Sequence, residues 1–216
     1  MEPRIVFEDG EIVACDKPAG QPSIPARGAL PPALSSALER ALGRKLFVVH
    51  RLDRDASGLI VFAKTAAAHA RLCAAFAGRK ASKSYLALVE GTVSAEGRVD
   101  SCLRQFGSGR MGIDERGKPS LTLYRPRRGG RGCSLLRASP VTGRRHQLRV
   151  HFWSIGHPIL GDRLYGRPRP VGGAPRLMLH ACSLSLEGLP PLACPPGEDF
   201  LEVLRGRGIE GNSNFF

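Results

Sequence analysis

Residues 46–63 read LFVVHRLDRDASGLIVFA. Two apolar runs, 46–49 and 58–63, flank a polar stretch from His50 to Ser57. Both runs are continuous rather than alternating, which predicts short strands buried on both faces. A dense polar loop between buried strands is gripped from either side, and that suits a catalytic group. Asp53 has Arg51 two residues before it and Arg54 one after. Flanking cations should keep its carboxylate ionised and oriented. The residues alone leave two readings open, a catalytic loop or a structural ion-pair turn.

Outward from this stretch, Ile5–Phe7 and Ile12–Cys15 lie around Glu8-Asp9-Gly10, a hairpin signature. Lys17-Pro18-Ala19-Gly20 reads as a turn, and residues 21–32, with four prolines, as a loop. Leu34, Leu38 and Leu42 keep helical register from Pro32 to a stop at Gly43. Thr65 is placed to cap a helix reaching about Ala77, with Gly78 after it. Tyr85–Val89 reads as a strand, and residues 107–132, rich in Gly, Arg and Pro, as hairpin tips or an insertion. Leu148, Phe152 and Ile155 predict a helix from His146, on which Arg145 and Arg149 would share a face. Short strands follow around 177–179 and 184–186. The expected fold is a single α+β domain over 1–216, a mostly antiparallel mixed sheet flanked by helices and loops.

A chain of 216 residues buries about 70% of its unfolded surface and needs no disulfide or metal staple. The six cysteines form no C-x-x-C pair and read as buried, reduced thiols of a cytosolic protein. There is no apolar run long enough to span a membrane, and the first residues lack a secretory apolar core. The six histidines include no H-E-x-x-H and no i, i+4 pair, so no metal site is expected. Phosphate-loop, dinucleotide and serine-hydrolase motifs are also missing from the sequence.

Thirty-two basic against nineteen acidic side chains give a formal charge of +13, which points to a polyanionic partner. Residues 104–145 alone carry +9. Within them Arg125, Arg127, Arg128 and Arg131 show no periodic apolar face and are expected to dock phosphates rather than catalyse.

At His50-Arg51-Leu52-Asp53, with Ser57-Gly58-Leu59 after it, the chain resembles the RluA-type pseudouridine synthases and their H-R-L-D-x-x-T-S-G-L signature. Four more blocks agree in order: IVACDKPAG (12–20), KSYLA (83–87), TGRRHQLRVHFWSIGHPILGDRLYG (142–166) and RLMLHA (176–181). The resemblance covers roughly residues 5–200 and implies an RNA pseudouridine synthase. It makes Asp53 the catalytic carboxylate, Tyr85 the residue stacked on the target base, and Arg144 the partner of the aspartate. Arg51 would take the place of the flipped nucleotide, and Leu179 would pack against the tyrosine. His50 and Arg149 stand beside these positions and are taken as substrate-binding, with Arg125, Arg127 and Arg128. Arg145 and Ala56 replace the usual Thr or Ser and Thr. The resemblance further implies a cytoplasmic enzyme acting on rRNA or tRNA, without cofactor, as a monomer with no obligatory protein partner. It reads as a short member that begins at the catalytic domain, without the S4-like RNA-binding domain of many relatives.

Overall fold

The computed structural model describes residues 2–25, 31–166 and 174–209. In chain order its elements are β1 (Arg4–Glu8), β2 (Ile12–Lys17), α1 (Leu34–Leu42), β3 (Phe47–Val48), β4 (Ser57–Ala63), α2 (Ala66–Ala77), β5 (Ser82–Glu90), β6 (Gly97–Gln105), β7 (Met111–Ile113), β8 (Lys118–Gly130), β9 (Cys133–Pro140), α3 (Gln147–Ser154), β10 (Leu179–Ser185), β11 (Leu192–Ala193) and α4 (Glu198–Gly206). The α+β class is as expected. Among the described residues no helix is long and apolar enough to cross a membrane. The chain divides into two compact units, Met1–Lys83 with His180–Pro196, and Ser84–Leu179 with Gly197–Phe215.

In the first unit β1, β2 and β4 are antiparallel neighbours, and β10 joins β4 in parallel. Both β2 and β4 are buried nearly throughout, which accounts for their continuous apolar sequences. Ile12, Ala14, Leu59, Val61 and Ala63 point to one face, where Ala68 and Leu72 of α2 cover them. Thr65 caps α2 by accepting the Ala68 N–H. Gly43 ends α1 in the left-handed conformation at φ 63°. Gly58 has φ 108°, and a side chain there would stand 2.3 Å from the Ala181 carbonyl oxygen. Only glycine lets β4 and β10 come this close. Residues 46–49 depart from expectation. Strand β3 has two residues, and Phe47 and Val48 are both exposed. Among the described residues it pairs with the far end of β4 as a short edge piece, and Phe47 stacks on His69 of α2 at 5.4 Å without being buried.

The second unit holds a sheet in the order β5-β9-β8-β6-β7, antiparallel throughout. Tyr85, Ala138, Tyr124 and Gly97 stand in one row across it. Helix α3 lies on that face: Phe152 meets Tyr124 edge-on at 5.8 Å. His151, wholly buried, is within 2.9 Å of the Ser120 and Thr122 hydroxyls. Residues 107–132, expected to be loop or insertion, instead carry β7 and the thirteen-residue β8. Composition misleads here because β8 is specified by partners on both edges. Pro126 stands at a bulge between Pro126 and Arg128, where a missing N–H is tolerated. Of the expected loop 21–32, residues 21–25 are irregular and 26–30 lie outside the described residues.

Candidate active site

The turn that carries Asp53 belongs to the first unit and is fastened from three directions. Lys17, wholly buried at the end of β2, donates through Nζ to the carbonyls of Pro18 (2.8 Å), Gln21 (2.8 Å) and Arg54 (2.9 Å). Gly20 and Arg54 are joined twice, by Gly20 N–H to Arg54 O (2.9 Å) and by Arg54 Nε to Gly20 O (3.0 Å). The Ser23 hydroxyl accepts from Leu52 N–H (3.1 Å) and donates to Leu52 O (3.0 Å), clamping the residue before Asp53. Leu52 itself is buried, and Ala56 N–H closes the turn onto Asp53 O at 3.3 Å. Asp53 is half-buried and Arg51 is exposed. A carboxylate on so constrained a backbone is held ready at little further entropic cost.

His50, expected to bind substrate, has a different task. Its Nε2 accepts the Val61 N–H at 3.1 Å, and its ring stacks on Phe76 at 4.7 Å. β10 pairs with β4 at Ser57 and Gly58 and β3 pairs at Phe62 and Ala63, so Val61 falls in the gap between them. The imidazole fills that gap in the ladder. Burial, with the Lys83 charge added, pushes the His50 pKa down to about 3, so the ring stays neutral and accepting. Ser57 and His180, from two of the recognised blocks, are also structural. His180 Nε2 donates to Cys194 O (2.8 Å), leaving Nδ1 to accept from the Ser57 hydroxyl (2.9 Å).

Tyr85 and Arg144 belong to the second unit. Tyr85 is half-buried on β5, on the sheet face that carries α3. Leu179, buried, begins β10. Arg144 lies in the loop before α3, and Gln147 fixes that loop. Gln147 Oε1 accepts from Arg144 N–H (3.0 Å) and the Thr142 hydroxyl (2.7 Å). Its Nε2 donates to Leu121 O and Thr122 Oγ1, both at 3.0 Å. Arg144 Nε donates to Pro119 O at 3.2 Å. His146 turns the chain into α3 with φ 54°, and its Nδ1 lies 2.8 Å from the Tyr165 hydroxyl, which accepts the Met111 N–H. The left-handed residue is costly for a histidine and is maintained by these partners. Arg145 therefore precedes the helix rather than sharing a face with Arg149.

Arg149, also expected at the substrate, is buried and bidentate on Asp162, with both contacts at 2.8 Å. Burial alone would raise the Asp162 carboxyl. The hydrogen bonds and charge of Arg149, with the N–H groups of Tyr165 and Leu164, outweigh it and hold the pKa below the ordinary value. The pair ties α3 to the 159–166 turn. Arg125, Arg127 and Arg128 are exposed on β8, and Arg125 pairs with Glu96 at 2.7 Å. Register puts Arg125 beside Arg137 and Leu86, and Arg128 beside Leu135 and Leu88. Both therefore project from the sheet face opposite Tyr85.

Lys17, Ser23 and Gln147 had no site role in the sequence reading. A lysine closing an apolar strand is a signal for the first. Nothing local marks Ser23. Gln147 ends a run of polar and basic residues that starts at Arg144, and nothing local sets it apart.

Residues 11–154 match the family described as RNA pseudouridylate synthase. Ribosomal large subunit pseudouridine synthase D of Zymomonas mobilis is 40% identical over 200 residues, covering 83% of this chain and 63% of that protein. Dual-specificity RNA pseudouridine synthase RluA of Vibrio vulnificus is 41% identical over 192 residues, covering 84% and 76%. Among solved structures, human RNA Pseudouridylate Synthase Domain Containing 1 superposes with a TM-score of 0.78 at 29% identity, covering 94% of this chain and 86% of that one. The chain spans 55–63% of the length of the first three synthase D relatives. On the match from Glu11 to Ser154, and on relatives near 40% identity over most of its length, the chain belongs to the RNA pseudouridylate synthase family.

Proposed function

We propose that this chain converts uridines in structured RNA to pseudouridine. The observation that supports the reading is Asp53, the aspartate of the H-R-L-D stretch, on a turn fastened by Lys17, Ser23 and Gly20. The reaction breaks N1–C1′, turns the uracil over and joins C5 to C1′. The C5 proton is lost and N1 gains one, so no atom is added and no electron is exchanged. Asp53 acts as a nucleophile or as a base at the sugar. Tyr85 gives the detached uracil a flat face and a hydroxyl at its edge. The family resemblance gives Arg144 the role of partner to the catalytic aspartate, keeping that carboxylate charged once RNA has excluded water. Arg51 fills the place of the flipped nucleotide, since a stacked base must leave its helix to be reached. Leu179 backs the tyrosine. The RNA is ribosomal or transfer RNA, met in the cytosol by a chain acting as a monomer. His50 and Arg149 are not part of this proposal, since both are committed to the fold.

The test is tritium release from RNA labelled at uridine C5, with pseudouridines mapped in cells with and without the gene. The reading requires release that survives EDTA once the RNA fold is shown unchanged, and it requires sites that vanish with the gene. RNA bound without release would make the chain a silent RNA-binding relative instead.

A further inference from the structure

Four consecutive residues of β8, Pro119 to Thr122, each take a polar contact from the segment that runs from Thr142 to His151. Pro119 O accepts from Arg144 Nε, Leu121 N–H donates to Thr142 Oγ1 at 3.1 Å, and Leu121 O accepts from Gln147. Ser120 and Thr122 both meet His151. Gln147 and His151 stand one turn apart on α3, and Ser120 and Thr122 two residues apart on β8, so each pair shares a face. The protons along this chain of groups have one consistent order. The Ser120 hydroxyl donates to Ser101 O at 2.6 Å, so it accepts at 2.9 Å from His151 Nε2. Burial lowers the His151 pKa to about 4 against the pull of Asp100, and the ring is neutral. Its Nδ1 then accepts from the Thr122 hydroxyl at 2.9 Å, which turns the Thr122 lone pairs to Gln147 Nε2 at 3.0 Å. The Gln147 amide is thereby held with Oε1 on the Arg144 N–H.

We propose that Thr122 and His151 are positioning residues for Arg144, acting through Gln147. The inference rests on the proposed isomerisation, in which Arg144 serves the catalytic aspartate. Arg144 is gripped at two points, its backbone N–H by Gln147 and its side chain by Pro119 O. Both grips refer to the same stretch of β8, so the guanidinium is placed only if α3 keeps its register on that strand. Apolar contacts would bury the helix as well but have no direction, whereas a buried chain of hydrogen bonds breaks if either element slips by one residue. Thr122 and His151 are wholly buried, so they act through the arginine and not on RNA.

The test replaces Thr122 by valine, which keeps the shape and loses the hydroxyl, and by serine, which keeps the hydroxyl. Single-turnover tritium release, RNA affinity and exchange of the Arg144 amide proton are measured on each. Thr122→Val should slow release about 10-fold or more, because a displacement of about 1 Å at a catalytic group costs up to about 100-fold. RNA affinity should stay within about twofold, and Arg144 amide exchange should quicken. Thr122→Ser should restore both release and protection. If the valine variant melts below the assay temperature, Thr122→Cys, whose thiol is a weak donor and acceptor, supplies the same comparison. Wild-type release from folded Thr122→Val would overturn the proposal, as would a serine variant no better than the valine one, or RNA affinity lost in step with release. Tritium release by the unmodified chain separates the two ideas: release with an indifferent Thr122 removes the positioning role only, whereas no release removes the enzymatic reading.

Discussion

Lys17 shows how one side chain sets a loop. Its ammonium satisfies three carbonyls from two segments, Pro18 and Gln21 on one side and Arg54 on the other. Charge-assisted bonds of this kind contribute about 1.5–3 kcal/mol each, and losing the donor removes all three, with Arg54 O keeping the Gly20 N–H. Lys17→Met should therefore cost about 3 kcal/mol or more of unfolding free energy. It should lower turnover more than RNA affinity, since it loosens the Asp53 turn and no phosphate contact. Urea melts with parallel single-turnover and binding assays check this, and an unaltered turnover in a folded Lys17→Met would separate the lysine from the site. The sequence exposed the polar loop and Asp53 because types and spacing are local properties. It hid the roles of His50 and Arg149. A histidine three residues before an aspartate looks alike whether it faces substrate or fills the ladder at Val61, and only the pairing of β3 and β10 along β4 decides.

At the scale of elements, α3 is held by one buried ion pair and a mesh of hydroxyls. Arg149 and Asp162 are each almost fully buried, so removing one charge strands the other. Asp162→Asn should destabilise by about 3–5 kcal/mol, whereas replacing both by apolar residues of similar volume should cost far less. Thermal melts of the two variants check the ordering. The Asp162 pKa is lower folded than unfolded, so its stabilisation is complete above the unfolded value and fades as pH falls through the folded one. Helix α2 was legible because its cap, Thr65, and its stop, Gly78, lie in its own sequence. Strand β8 was not. Its hydrogen bonds go to β6 and β9, twenty residues before and ten after, and glycines, prolines and arginines without those partners read as loop.

For the whole molecule, two neutral histidines set the acid limit. Burial lowers His50 to about 3 and His151 to about 4, against an ordinary value of 6.5. Between those values the unfolded chain takes up protons that the folded chain refuses, so stability falls as pH drops below about 6.5. The slope should approach 1.4 kcal/mol per pH unit for each histidine. Urea unfolding between pH 5 and 7.5 should show it, and His151→Gln should remove about half. A flat profile would mean that both rings titrate in the fold as they do in the unfolded chain.

The central claim is that Asp53 does the chemistry while other groups hold the RNA. It is tested most directly by single-turnover tritium release from C5-labelled RNA with Asp53→Asn, alongside binding of the same RNA. An amide keeps the shape and hydrogen bonding of the side chain but is neither nucleophile nor base. The account predicts release reduced to background with RNA affinity within about twofold of wild type, because phosphate contacts lie elsewhere. Release near the wild-type rate from a purified, folded Asp53→Asn protein would contradict it.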